Sequence, residues 1–542
     1  MAKGVRAGVN EPLVLGVAVF MLVGAVAGPY FGWVGLQTEG PTVALAAAIG
    51  LLFGQRRRAA VVSVVAAIVA IAALVRRLAT PPTDPIPAVE LVLREALSRS
   101  SLWLALCGTA LVLGVGLRRV LVPAGLGTPR VRGVSAAGLR PVVAPVVLSR
   151  LAVWAAGVLA VVVLGAHADV GGALERPFGV FGNTLVAPGT AWDAQAYLSI
   201  ARSGYSGGAA LAPFFPGYPI LIRLFAFSPQ ATVIAGIAIS IVLFALGSYL
   251  LWRLVALDYG DRVARLTVLL IAVFPTSLFF SAVYSESLYL AASLAAIYAA
   301  RRDAWPYAGL CGAIATASRS NGVLVLIPLL LIYLYGPRPT PARHGPGPGP
   351  RHAIGGDVAW LLLVPAPLLL FLAYMGAHGD WLAPVHSLHA YWGRSFVPFA
   401  GIWRGAAAAW HAIQQIRGAS HTPNLAHGAL REVNTPTRIS IANLTDMGFL
   451  LFAIGSLVVS IRKLPAAYSA YAIASIFLAV SEPFPGEPLA SLPRYLLVIF
   501  PLMLSLAIRL TDHPRGARAL LILSSGLMLL FASQFARGLW IA

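Results

Sequence analysis

Polar and apolar positions fall in long blocks along this chain. Apolar runs lie near 13–35, 41–54, 59–75, 101–120 and 146–166, then near 229–254, 263–283, 285–300, 306–318, 321–336 and 358–378. The last four lie near 446–461, 465–480, 494–511 and 517–540. Many approach the roughly 20 apolar residues that carry an α-helix across a bilayer, and several are shorter, so the pattern predicts about 13–15 spans. The alternation of a membrane barrel is missing, and helices satisfy their own backbone in lipid. The predicted fold is an all-α polytopic membrane protein. The first run is too long for a signal-peptide core and no clear cleavage site follows, so it reads as a retained span. No internal repeat is visible, which argues against many transporter folds.

The polar breaks carry the orientation. Arg56 to Arg58, Arg118 to Arg150, Arg253 to Arg265, Arg301 and Arg302, Arg338 to Arg351, Arg462 with Lys463, and Arg509 to Arg518 form basic clusters. Placed in the cytoplasm, they let the spans alternate, with Arg76 and Arg77 as the exception. The N-terminus is then inside and the C-terminus outside. Loops 167–228 and 379–445 and the tight turn 283–287 face out. The Pro- and Gly-rich stretch 336–357 becomes a cytoplasmic linker.

Composition sharpens this picture. The chain is 59% hydrophobic and 11% charged, against about 25% charged in soluble proteins. Its net charge of +20 fits the positive-inside bias and attraction to anionic membrane lipid. The basic residues build no single stripe, which excludes a nucleic-acid partner. Cys107 and Cys311 lie in apolar segments and are expected as buried thiols. Lysine occurs only at Lys3 and Lys463. That bias points to a bacterial chain, and hence to the plasma membrane.

One segment stands out. "GTAWDAQAYLSIARSGYSG" (189–207) places Asp193 beside Trp192 between apolar stretches. Two readings are open. Thr190 to Asp193 matches a capping box, with Thr190 as N-cap and Asp193 complementing the dipole of a helix whose apolar stripe is Ala194, Leu198, Ala201 and Tyr205. Alternatively, Asp193 is functional. The following "APFFPGYPILIRL" (212–224) is aromatic and apolar, so the loop dips into the outer leaflet, where ionisable groups carry function by default.

"WDAQAYLSIARSGY" with "FFPGYP", then "FPTSLFFSAVYSESLYL", "ATASRSNGVLVLIPLLL" and "PRYLLVIFPLMLSLA", in this order, resemble the PIG-V-like mannosyltransferases, a branch of the GT-C superfamily. The resemblance runs from about 148 to 508. It implies a GT-C-like helix bundle whose external loops carry short amphipathic helices. It also divides the chain into a four-span block of unknown role (1–140), a catalytic membrane domain (141–511) and a C-terminal transmembrane helix (512–542). The implied reaction moves mannose from a polyprenyl-phosphate-mannose donor to an extracytoplasmic hydroxyl with inversion. By motif match Asp193 is the essential acid, acting as general base. No cofactor and no metal are expected.

Candidate roles follow. Arg319, Arg494 and Arg202 are expected at the donor phosphate, which suits a guanidinium, with Arg223 a weaker candidate. Trp192, Tyr197, Tyr284, Glu286, His386, His389 and Trp392 are expected around sugar and acceptor, with Trp381 and Tyr391 as further stacking surfaces. Each has a plainer alternative: snorkelling for Arg319 and Arg494, an acid partner for Arg202, an N-terminal helix acid for Glu286, an interface anchor for Tyr284, core packing for Tyr197. His386 and His389 stand one turn apart, and loop 379–445 also holds His411, His421 and His427, but only Asp380 could extend a zinc set. The acceptor is a glycolipid, glycan or protein. A GT-C enzyme for another sugar, a flippase for a polyprenyl-linked sugar and a non-catalytic assembly subunit are the competing readings.

Overall fold

The computed structural model describes residues 136–166, 178–226, 228–336, 354–418 and 436–541. The chain divides into two compact units, Met1–Leu126 and Gly127–Ala542, and every described element belongs to the second. The four spans expected before residue 121, Cys107, most of linker 336–357, and His421 and His427 lie outside the described residues.

The described part is a bundle of α-helices and 3₁₀ turns. Helix α1 (Ala136–Leu164) leads to α2 (Gly179–Thr190), α3 (Ala194–Ser203) and α4 (Gly217–Phe225). Helix α5 (Pro229–Ala272) is started by Ser228, whose hydroxyl accepts from the Ala231 amide, and by Pro229 in its first turn, where a missing N–H costs nothing. It bends at Gly260, which takes φ +79°. Next come α6 (Glu286–Arg301), α7 (Trp305–Ser318) and α8 (Leu326–Tyr335). A bent pair follows, a 3₁₀ stretch Gly356–Leu363 and α9 (Ala366–Ala377), meeting at 42°. Then come α10 (Ala383–Trp392), α11 (Ala400–Ile416), α12 (Pro436–Ser460), α13 (Ala466–Val480), α14 (Leu492–Leu497), α15 (Phe500–Leu510) and α16 (Pro514–Ala536).

Among the described residues, 4 helices are long and apolar enough to cross a membrane, or 5 with the bent pair as one span. They include α1, α5, α12 and α16. Outward-facing Leu148, Leu151, Leu159, Ile522 and Leu523 give α1 and α16 apolar surfaces suited to lipid. Other apolar runs are interrupted. The run 263–283 stops at Ala272 and continues as a turn, and 494–511 breaks between α14 and α15. Helix α12 begins at Pro436, so the end of loop 379–445 is helical.

Helix α6 is the bundle's centre: every residue from Glu286 to Ala300 is buried. Its Ala and Ser positions admit neighbours closely. The same economy governs Gly309, where an added Cβ would meet the Trp360 carbonyl oxygen at 2.0 Å. The 16 residues of α6 separate its two ends by about 24 Å. At its C-terminal end Arg301 pairs with Asp258 at 2.5 and 2.7 Å and also reaches the Tyr468 hydroxyl. Its N-terminal end holds Glu286 and the candidate site.

Two features shape that end. Arg150 of α1 is buried and donates to the carbonyls of Ala272 and Ser277 and the hydroxyls of Ser277 and Ser281. Oxygen dipoles thus compensate the buried charge, and the turn 273–285 is tied to α1. The second is the turn 319–325 after α7, where a Cβ at Gly322 would meet the Ala315 carbonyl oxygen at 2.2 Å. Gly322→Ala is expected to cost about 1–3 kcal/mol through this overpacking. The check is a lower thermal midpoint in detergent than wild type.

Candidate functional site

A sharp turn brings Asp193 to the site. Helix α2 ends at Thr190, and Trp192 takes φ +58° before α3 opens at Ala194. A bulky residue at positive φ is strained, and such strain gathers at functional sites. The capping-box reading is thereby corrected. Thr190 closes α2, its hydroxyl donating to the Val186 carbonyl. Asp193 occupies the N-cap position, but its side chain caps nothing. The segment is held through its backbone instead: the Asp193 amide donates to the Tyr284 hydroxyl at 3.1 Å, which donates to the Ala191 carbonyl at 3.2 Å. Of the expected apolar stripe, Ala194, Leu198 and Ala201 are buried on α3, while Tyr205 lies past its end in a 3₁₀ turn and is half-buried.

The Asp193 carboxylate turns to Arg494. Its Oδ2 accepts from Arg494 Nη1 at 2.6 Å. Arg494 Nε lies 3.5 Å from Glu286 Oε1, which also accepts from Arg319 Nη2 at 2.6 Å. The four residues form one alternating chain: Asp193, Arg494, Glu286, Arg319. Their formal charges cancel. Glu286 is fully buried and Asp193 is the most open of the four, at 20% exposure. Opposite charges about 4 Å apart in such a site attract by about 4 kcal/mol at an effective dielectric of 20. Aromatic rings complete the walls: Arg494 lies over Phe279, Tyr284 and Tyr495, and Arg319 over Tyr289.

Several buried polar atoms here have no hydrogen-bond partner. They are Glu286 Oε2, Arg319 Nη1, Arg494 Nε, Asn321 Oδ1 and Trp192 Nε1. Unmet groups are costly in a packed interior and call for a ligand or water. Arg319 Nη1 has no acceptor and Arg494 Nε meets Glu286 only at ion-pair distance, so two incompletely bonded guanidiniums beside the Asp193 carboxylate can hold an anion and leave a proton acceptor next to it.

The other sequence candidates fall elsewhere. Arg202 stands at the far end of α3, about 13 Å along the axis from Asp193, and donates to Thr232 Oγ1 and the Pro229 carbonyl. It is not brought to the cluster. Arg223 donates to the Arg202 carbonyl. Tyr284 is fully buried and fixes the Asp193 backbone, so it is neither an interface anchor nor an open sugar platform. Glu286 likewise meets arginines in the interior, not an open surface. The Tyr197 hydroxyl pairs with Ser285 Oγ at 2.9 Å, and its ring packs on Phe214 and Tyr218. Trp192 meets Trp540 edge-on.

His386 Nδ1 contacts Asp380 at 2.8 Å, which draws the Asp380 carboxyl below its usual range, and His389 contacts Ser395. The two histidines therefore have separate partners, and no cluster of three metal-ligating side chains occurs among the described residues. Trp392 packs edge-on against Phe214, while Trp381 and Tyr391 are exposed. Sequence reasoning put Arg150 in a cytoplasmic basic cluster and missed Arg394; Arg150 is instead buried against the turn 273–285 at the site end. Both are buried arginines bonded to backbone carbonyls, and a carbonyl leaves no mark in the sequence.

Comparison with known proteins adds three findings. Residues 179–333 match the family model described as mannosyltransferase (PIG-V). No curated protein sequence matches significantly. Among solved structures, the Archaeoglobus fulgidus oligosaccharyltransferase, in a crystal structure with Zn and sulfate, aligns at 12% identity and a TM-score of 0.34, over 70% of this chain and 53% of that chain. The aligned part thus spans about half of that protein's length. Over residues 179–333, the part that presents Asp193, Tyr284, Glu286 and Arg319, this chain is similar to the PIG-V mannosyltransferase family.

Proposed function

We propose that the protein is an integral-membrane mannosyltransferase. It takes mannose from a polyprenyl-phosphate donor and transfers it, with inversion, to a hydroxyl of an extracytoplasmic glycolipid, glycan or protein. The observation that carries the reading is the Asp193–Arg494–Glu286–Arg319 chain with its incompletely bonded guanidiniums. In the reaction Arg494 and Arg319 hold the donor phosphodiester. The arriving anion competes with Asp193 for Arg494 and loosens the ion pair, which frees the carboxylate. Asp193 then accepts the proton of the acceptor hydroxyl as its oxygen attacks the anomeric carbon. The bond from that carbon to the phosphate oxygen breaks, and the lipid phosphate leaves with the electron pair, its charge held by the arginines. One base suffices, since no glycosyl-enzyme forms. The site lies at the extracytoplasmic face of a bacterial plasma membrane, a reading supported by Arg301 and Arg302 at the opposite end of α6.

The test is incubation of purified protein with radiolabelled polyprenyl-phosphate mannose and a lipid extract. Label is expected in an acceptor, and a chelator is expected to leave the rate unchanged. Arg494→Lys keeps the charge but loses the fork, so the apparent KM for donor should rise about tenfold. Transfer of labelled glucose in preference to mannose would reassign the sugar. Facilitated movement of intact donor across a vesicle, without transfer, would favour the flippase.

A further inference from the structure

Arg394 lies just after α10, in the loop before α11, and is 8% exposed. Its Nη1 donates to the Glu482 carbonyl at 3.1 Å, and its Nη2 to the Ala490 carbonyl at 3.0 Å and Ser491 Oγ at 3.4 Å. These acceptors are the two ends of the segment 481–491, which joins α13 to α14. Two further bonds fasten the same segment: the Val397 amide donates to the Ser481 carbonyl and the Phe399 amide to Ser481 Oγ. Arg394 also lies over the Phe484 ring, and Pro485 packs against Gly393. The segment ends at Ser491, whose φ of +72° turns the chain into α14. Arg494 follows three residues later.

Few side chains can bind two separated points of a chain at once. The planar fork of a guanidinium can, and an ammonium cannot do so with the same geometry. The segment also needs a nearby cation, because burial pushes the Glu482 and Glu487 carboxyls up while Arg394 opposes the shift in both, joined by Arg438 at Glu487. We infer that Arg394 is a positioning residue: it clamps segment 481–491 so that Arg494 meets Asp193, and so ties the 394–399 stretch to the donor-phosphate contact. The inference rests on the reading of Arg494 as that contact.

Two measurements decide it. The first is a double-mutant cycle on binding of a short-chain polyprenyl phosphate in detergent. Arg394→Gln should weaken binding about tenfold in the wild-type background and have little effect in an Arg494→Gln background. Equal losses in both backgrounds would overturn the inference, since Arg394 would then not act through Arg494. The second needs no ligand. Hydrogen exchange at amides 482–491 and 495–499 should quicken in Arg394→Gln while α6 keeps its protection. Unchanged exchange in that segment would refute the clamp. If wild type does not bind the lipid phosphate, the donor reading falls, and the exchange result alone judges the clamp. Should Arg394→Gln fail to fold, Arg394→Lys takes its place in both experiments, because it keeps the charge without spanning both ends.

Discussion

Asp193→Asn is expected to give a folded protein that transfers sugar about 10²–10⁴-fold more slowly, the range of a lost general base. Asparagine keeps the shape of the side chain and can still accept from Arg494 through its amide oxygen. It cannot take a proton from an acceptor alcohol. The fold should tolerate the change, because the 191–193 turn is held by the Asp193 amide and the Ala191 carbonyl at the Tyr284 hydroxyl, not by the carboxylate. Glu286 also remains to neutralise Arg494. The check is a transfer rate together with a thermal midpoint in the same detergent. Lost activity with a preserved midpoint is the expected pair.

The largest loss of stability is expected from Glu286→Gln. This carboxylate is fully buried and shared by two arginines. Neutralising it leaves Arg319 and Arg494 facing each other with Asp193 as the remaining carboxylate of the chain. Breaking a buried ion pair by removing one partner costs about 3–5 kcal/mol, because the other charge stays desolvated. The midpoint should therefore fall well below that of Asp193→Asn. Glu286→Gln combined with Arg319→Gln should recover part of the loss, since the second change removes the orphaned cation, and the pair should be clearly non-additive. A midpoint for Glu286→Gln equal to wild type would show that the buried chain of charges is not what holds this end of the bundle.

The sequence makes the two halves of this account visible to different degrees. The helical membrane fold is written in the long apolar blocks, because lipid leaves the backbone few alternatives. Breaks inside those blocks are harder to see. The turn 273–285 is mostly apolar in "FPTSLFFSAV", and its departure from helix is fixed by Arg150, more than a hundred residues away. The pairing of Asp193 with Arg494 spans 301 positions, so the motifs supplied the participants but not the contact. Thr190 misled because Thr-x-x-Asp matches a capping pattern. The strained backbone of Trp192 puts the two residues on different helices. Arg202 misled for the opposite reason. It lies near Asp193 in sequence, but the axial rise of α3 carries it away.

The central claim is that Asp193 removes the acceptor's proton while the neighbouring arginines hold the lipid phosphate. Single-turnover transfer from enzyme preloaded with radiolabelled polyprenyl-phosphate mannose tests it most directly. The account predicts that Asp193→Asn retains bound donor yet passes almost no label to acceptor, while wild type empties within the observation time. Label transfer by Asp193→Asn at the wild-type rate would contradict it.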